Sequence, residues 1–296
     1  MEPRRPAIVT GSHGFVGSTL VRALHGHVPL ALGAPGWLER IAATDFAGAT
    51  VFHLAARVHA RDGGAAEFTR DNVDKSEALA RAAARGGARC LVFASTVKVH
   101  GDETPEGAAF AAAMPLAPRD AYARSKQLAE QRLADVGRET GLAIVVVRPP
   151  LVIGAGARAN LADLLRLADT PWPLPFAAIR NRRSWVHVDD LCGLLLLCAA
   201  HAAKTPSAWL ASHPQPFSTP ALFAEARVAL GRAPRLFACP PAMLECAAAL
   251  AGARGRMQRL TRSLEADASP AMRELGWQPR RSLHDAIADL VRGGRA

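Results

Sequence analysis

The sequence predicts an α/β fold: a doubly wound parallel sheet covered by helices on both faces, with a smaller C-terminal lobe. Two observations carry this. Short, uninterrupted apolar runs alternate with segments of helical spacing through the first half of the chain, and that alternation breaks after residue 150. Strands buried on both faces read as continuous hydrophobic runs, which is the pattern of a parallel sheet under helices.

The first strand is expected in PAIVTG (6–11) and the first helix in FVGSTLVRALHG (15–26). VPLALG (28–33) and TVFHLAA (50–56) read as the second and third strands. Only about twenty residues separate them, and a full helical return is difficult to fit there. A helix over 72–87 closed by glycines, a strand over 88–96, a helix over 119–140 and a strand over 142–150 ended by prolines complete the unit. Beyond it come Pro-rich loops, then a further strand and buried helix (184–200), then shorter helices. The expected division is 1–150 with 184–204 as one domain, and 151–183 with 205–296 as the other.

With 296 residues, half of them hydrophobic, the chain can bury a large core. The formal charge of +10 is mostly arginine, scattered and without interleaved aromatics, so nucleic-acid binding is not expected. The five cysteines, at wide spacings in apolar contexts, read as reduced, buried thiols of a cytoplasmic protein; neither a disulfide nor a metal site is expected. The start shows no signal-peptide layout, and the run 191–200 is too short to span a bilayer, so no membrane insertion is expected.

The loop TGSHGFVGS sets Gly11, Gly14 and Gly17 between a strand and a helix. The first allows a tight turn, the second admits a pyrophosphate to the backbone, and the third lets helix pack on strand, with the helix N-terminus facing the phosphate charge. This is a dinucleotide-binding signature of the Rossmann type. The acidic residue that would close the second strand on the adenosine ribose is absent from LALGAPG.

Tyr122 is the only tyrosine in the chain, and Lys126 lies four residues on. Positions i and i+4 share a helix face. A cation beside a phenol lowers its pKa from about 10 and suits it to acid–base work on an alcohol or ketone. In FASTVKVHG, Ser95 and Thr96 end a strand at the carboxyl edge of the sheet, where ligands bind in open α/β folds.

Together these residues resemble the extended short-chain dehydrogenase/reductase family, the NAD-dependent epimerase/dehydratases of sugar nucleotides. The likeness runs from TGSHGFVGS through VFHLAARVH, FASTVKVHG, YARSK, VVRPPLVIGAG and RSWVHVDDL to LGWQPRRSLHDAI. Within that family the chain looks most like the bacterial branch that reduces UDP-4-keto-6-deoxy-N-acetyl sugars for O-antigen, a lipopolysaccharide component. The resemblance implies NAD(P)(H) as cofactor, NADH or NADPH undecided. It implies Tyr122 as general acid/base, Lys126 on the nicotinamide ribose and Thr96 on the sugar oxygen. His13, Phe15 and Val16 would join the glycines at the cofactor, with Leu54, Ala55, Ala56, Asn72, Ser95 and Pro149. Lys98, Asn160, Leu161 and Phe176 would meet the UDP-sugar, and Arg183 its phosphates. The family's common VYG reads Val99-His100-Gly101, and the Asp–Glu pair of its dehydratases is replaced by Val97 and Lys98, which disfavours elimination of water. The expected function is 4-ketoreduction; UDP-hexose 4-epimerisation and non-catalytic nucleotide binding are the alternatives. A homodimer through the helices 72–87 and 119–140 is also implied.

Overall fold

The computed structural model describes residues 6–58, 64–157, 160–203 and 207–294, apart from the side chain of Asn160. Its centre is a six-stranded, all-parallel sheet in the order β2-β1-β3-β4-β5-β8. The strands are β1 (Ala7–Thr10), β2 (Val28–Leu30), β3 (Thr50–His53), β4 (Cys90–Ala94), β5 (Ala143–Arg148) and, after a two-stranded ribbon of β6 (Leu151–Ile153) and β7 (Trp185–His187), β8 (Ser207–Leu210). Residues of β1, β3 and β5 are buried throughout, as the continuous apolar runs require.

On one face lie α1 (Phe15–Ala23) and α7 (Val188–Ala200), packing Leu20, Leu191 and Leu195 against Val9, Val92 and Val145. On the other lie α2 (Trp37–Ala42), α4 (Lys75–Arg85) and α5 (Ala121–Thr140), which bury Ile41, Leu79 and Leu133 against Ile8, Val51 and Leu91. The helix α3 (Ala65–Phe68) leads into α4 through a π-helical turn at Thr69–Asp74. A separate apolar cluster joins β6, β7, α6 (Asn160–Ala168), α8 (Thr219–Ala229) and α12 (Leu283–Gly294) around Trp185, Phe223 and Leu290. The helices α9 (Pro241–Leu250), α10 (Arg254–Thr261) and α11 (Ser269–Leu275) complete the chain.

Three expectations are revised. The return from β2 to β3 does fit, because two turns of helix, α2, suffice to cross β1. Its loop is held by Arg40, which donates to the carbonyls of Ala31, Ala34 and Pro35 at 2.8–2.9 Å, and by Lys75, which donates to Leu32 at 2.9 Å. The strand at 185–187 pairs with β6, so the segment 184–204 gives the main sheet a covering helix and no strand; the sixth strand is β8, beyond that segment. Cys90, Cys192 and Cys198 are buried, but Cys239 is half-buried and Cys246 exposed.

The ends of α5 are well defined. Asp120 caps its N-terminus by accepting from Ala123 N at 2.7 Å, and Gly141 closes it with φ of 75°. Its middle is fixed by a buried ion pair: Arg148 of β5 meets Glu130 through Nε at 3.1 Å and Nη2 at 2.6 Å. Ser95 also donates to Glu130, and Arg148 Nη1 donates to the carbonyl of Ala112 at 2.8 Å and to His100 Nε2 at 3.0 Å. Burial, then the Arg148 charge, lowers the His100 pKa to about 4, so His100 is the neutral acceptor of that bond, stacked on Phe110. This accounts for histidine where the resembled family carries tyrosine. Replacing Glu130 with Gln leaves the buried guanidinium unpaired and is expected to cost about 3–5 kcal/mol. Urea denaturation measures it; a loss below about 1 kcal/mol would show the pair to be dispensable.

Candidate active site

The glycine loop follows β1 directly. Gly11 has a φ of 70°, and a Cβ there would lie 2.8 Å from Ala55 N; a Cβ on Gly17 would lie 2.0 Å from the Gly11 carbonyl. No other residue type fits either place without moving backbone. Thr10 Oγ1 accepts from the backbone N–H of Leu54 and of Ala55, both at 3.2 Å, which lays the Leu54-Ala55-Ala56 turn along the loop. The first turn of α1 has no side-chain cap and no acidic residue, so its N–H groups, with Phe15, Val16 and the exposed His13 beside them, are free to meet an anion. An uncapped N-terminus behind a glycine cradle fits a dinucleotide pyrophosphate.

The cleft that continues from this loop to α2 has a volume of about 760 Å³ and is lined by Gly33, Trp37, Ala55, Arg57, Arg70 and Lys75 among others. Asp71 is the acidic residue in its lining, and it is engaged by Arg57 at 2.6 Å, Lys75 at 2.7 Å and Arg70 at 3.1 Å. Against the burial cost, these cations hold its carboxyl well below the usual carboxylate range. Among the described residues the adenosine end therefore offers no free carboxylate, in line with the strand-end residues.

Two tethers align the opposite end. Lys98 pairs with Asp120, the N-cap of α5, and with Asp102 at 3.3 Å, while Ser95 bonds Glu130 further along the same helix. Thr96 lies between Ser95 and Lys98, so it is drawn against the stretch 120–130 that carries Tyr122 and Lys126. Thr96 Oγ1 accepts from Lys98 N at 3.3 Å, and Pro149 receives Val97 N at 2.9 Å, which fixes the turn on the end of β5. Asn72, in the π-helical turn, accepts from Arg57 N at 2.7 Å and donates to Ser125 Oγ at 2.9 Å. Its polar atoms are committed, and it positions the 55–57 turn against α5.

Tyr122 is half-buried, its ring 6.3 Å from Phe68 centre to centre, and its hydroxyl makes no hydrogen bond among the described residues. Burial, with the negative Asp120 adding to it, pushes its pKa up to about 12. This reverses the expected lowering. Lys126 is itself only 1% exposed, its Nζ 4.1 Å from the centre of the Phe93 ring, and burial lowers its pKa to about 7 despite the charge of Glu130. A cation that is half neutral at pH 7 gives little help to a neighbouring phenolate. The site thus holds a protonated phenol.

The residues expected on the substrate divide. Arg183 is half-buried and donates to the Arg262 carbonyl at 2.9 Å. Burial, then the like charge of Arg259, lowers its pKa to about 10, with Asp102 opposing. Arg259, exposed and without an ion pair among the described residues, is a second cation near enough for its charge to act on Arg183. The side chains of Leu161 and Phe176 pack in the lobe core, Phe176 on Phe223 with ring centres 4.7 Å apart. Ser95 is likewise committed to Glu130, and Lys98 to its two aspartates. The side chain of Asn160 lies outside the described residues.

The stability of the site follows from Lys126. Unfolded, its amine binds a proton up to about pH 10.5; folded, only up to about 7. Between those values the unfolded chain holds more protons, so stability rises with pH across that window and is lowest below it. Lys126→Met is expected to stabilise the protein at pH 7, by on the order of 2 kcal/mol, and to flatten that rise. Thermal melts at pH 7 and 9.5 check this; an unchanged or lower Tm at pH 7 would show that the amine is not held at a cost.

The comparisons with known proteins agree with this geometry. The model of the NAD dependent epimerase/dehydratase family matches residues 7–210. A UDP-glucose 4-epimerase of Vibrio cholerae is 32% identical over 303 residues, 95% of this chain and 92% of the relative. A ceramide reductase of Caulobacter vibrioides is 30% identical over 222 residues, 66% of this chain and 61% of the relative. The solved UDP-glucose 4-epimerase of Thermus thermophilus, in complex with NAD, superposes with a TM-score of 0.74 at 21% identity, covering 98% of this chain and 99% of that one, which shows a shared fold. The chain belongs to the NAD-dependent epimerase/dehydratase family, enzymes of the extended short-chain dehydrogenase/reductase type.

Proposed function

We propose that the protein is a 4-ketoreductase that acts on a UDP-4-keto-6-deoxy-N-acetyl sugar, in the supply of polysaccharide precursors. The observation that carries this reading is the far end of the cofactor cleft, where Arg57, Arg70 and Lys75 take up Asp71 and leave no free carboxylate among the described residues to grip a ribose. Reduction of a ketone needs a proton donor at the forming alkoxide, whereas oxidation of an alcohol needs a base. Tyr122, a phenol at neutral pH, would give that proton and become the phenolate from which the reverse step starts, so the same residue serves both directions. The cofactor, when bound, supplies the hydride. Thr96 orients the C4 oxygen, Tyr122 protonates it, Lys126 holds the ribose, and Arg183 with Arg259 takes the diphosphate, a bidentate role suited to arginine. The adenosine end, without a free carboxylate among the described residues, lets the cofactor exchange. Cytoplasmic residence and pairing of two copies through α4 and α5 belong to the same reading.

The second reading is UDP-hexose 4-epimerisation, favoured by the Vibrio cholerae relative that spans nearly the whole chain. Cofactor retention separates the two. A reductase purifies largely empty and consumes added NADH or NADPH in step with ketosugar. An epimerase purifies with bound NAD and interconverts UDP-sugars with no net cofactor change. Near-stoichiometric nicotinamide after gel filtration, together with epimerisation of UDP-glucose or UDP-N-acetylglucosamine, would replace the first reading by the second.

Two variants test the assigned roles on whichever substrate turns over. Tyr122→Phe removes only the titrating oxygen and is expected to lower kcat about a hundred- to ten-thousand-fold with cofactor binding retained. Arg183→Ala removes contact with a diphosphate whose charge is constant through the reaction, so KM should rise more than kcat falls. Near wild-type turnover of the first, or an unchanged KM with collapsed kcat in the second, would contradict these roles.

A further inference from the structure

We propose that the outer face of α9, with the loops at Trp172 and Phe237 beside it, docks the protein onto an anionic lipid surface. The outward positions of α9 are Ala242, Met243, Cys246, Ala247, Ala249 and Leu250, all exposed. Met243 is 62% and Leu250 93% accessible, and seven residues apart they point the same way. The helix carries one charge, Glu245, which is half-buried and turned inward to accept from Thr261 Oγ1 at 2.6 Å.

The neighbouring loops extend this face. Leu174 N donates to the Arg235 carbonyl at 3.1 Å and Phe237 N to the Leu174 carbonyl at 2.9 Å, which sets the segment after Trp172 alongside the one that runs into α9. Trp172 is 74% accessible and Phe237 49%. Single exposed apolar residues are ordinary, but a strip of them points to a partner.

Charge selects the partner. Arg235, Arg254 and Arg256 are exposed at the two ends of the strip and make no ion pair among the described residues. From residue 233 to 258 the only acidic residue is the inward Glu245. A two-fold contact between copies sets one patch against itself and would bring these arginines together without a counter-charge. Anionic headgroups accept the arginines while the acyl boundary takes the apolar side chains, and a helix of 10 residues lies in that plane and does not cross it. The helix α10 follows at once and carries Arg259, so the diphosphate end of the cleft would open close to the surface.

The test uses the full chain and sedimentation with lipid vesicles. Binding is expected to vesicles of phosphatidylglycerol and phosphatidylcholine, not to phosphatidylcholine alone, and to weaken as salt is raised. The double variant Met243→Ser, Leu250→Ser is expected to bind on the order of tenfold more weakly, with its thermal melt unchanged because both side chains are exposed. Absence of binding to the anionic vesicles, or wild-type binding by the double variant, would overturn the proposal. So would light scattering that finds a dimer which the same variant dissociates, since the surface would then serve a second copy.

Discussion

A helix can present two reacting side chains to a sheet only if its rotation and height are fixed, and here the Glu130–Arg148 pair fixes them. The pair is buried, bonded at both ends, and joins α5 to β5 one helical turn beyond Lys126. Ser95 completes the shell of Glu130, so the same carboxylate also sets the start of the turn that carries Thr96. The Lys98–Asp120 pair closes the other end of that turn on the N-cap. Loss of the inner pair would therefore disturb both sides of the site together, because a buried guanidinium without its carboxylate moves or draws in water.

The same burial that positions the site decides its electrostatics. Lys126 is buried and Tyr122 half-buried, and desolvation penalises the charged form of each. The lysine moves toward neutrality and the tyrosine stays a phenol. At the other end, an uncapped helix N-terminus supplies fixed positive potential without a titrating group.

Much of this was legible in the chain. The glycine spacing and the Tyr122–Lys126 interval depend on contacts within a few residues, and both lie where the pattern places them. The return from β2 to β3 departs from what the strand-to-strand distance suggests, because the short α2 crosses β1 while Arg40 and Lys75 hold the loop carbonyls. The Ser95–Glu130–Arg148–His100 network joins residues up to 48 positions apart, so no local pattern reveals it. Phe176 and Leu161 carry motif positions that, in this chain, face the lobe core. The direction of the Tyr122 pKa was invisible for a plain reason: neighbours in sequence show which charge is near, while the degree of burial that outweighs it is a property of the whole fold.

Tyr122 is the only tyrosine, so its ionisation can be read without interference from any other phenol. Phenolate absorbance in the near ultraviolet, followed from neutral pH upward in the folded protein, tests the central claim. No phenolate is expected below the ordinary tyrosine value of about 10, with titration toward about 12. A phenolate that appears between about pH 7 and 8, as an activated base would show, would contradict it.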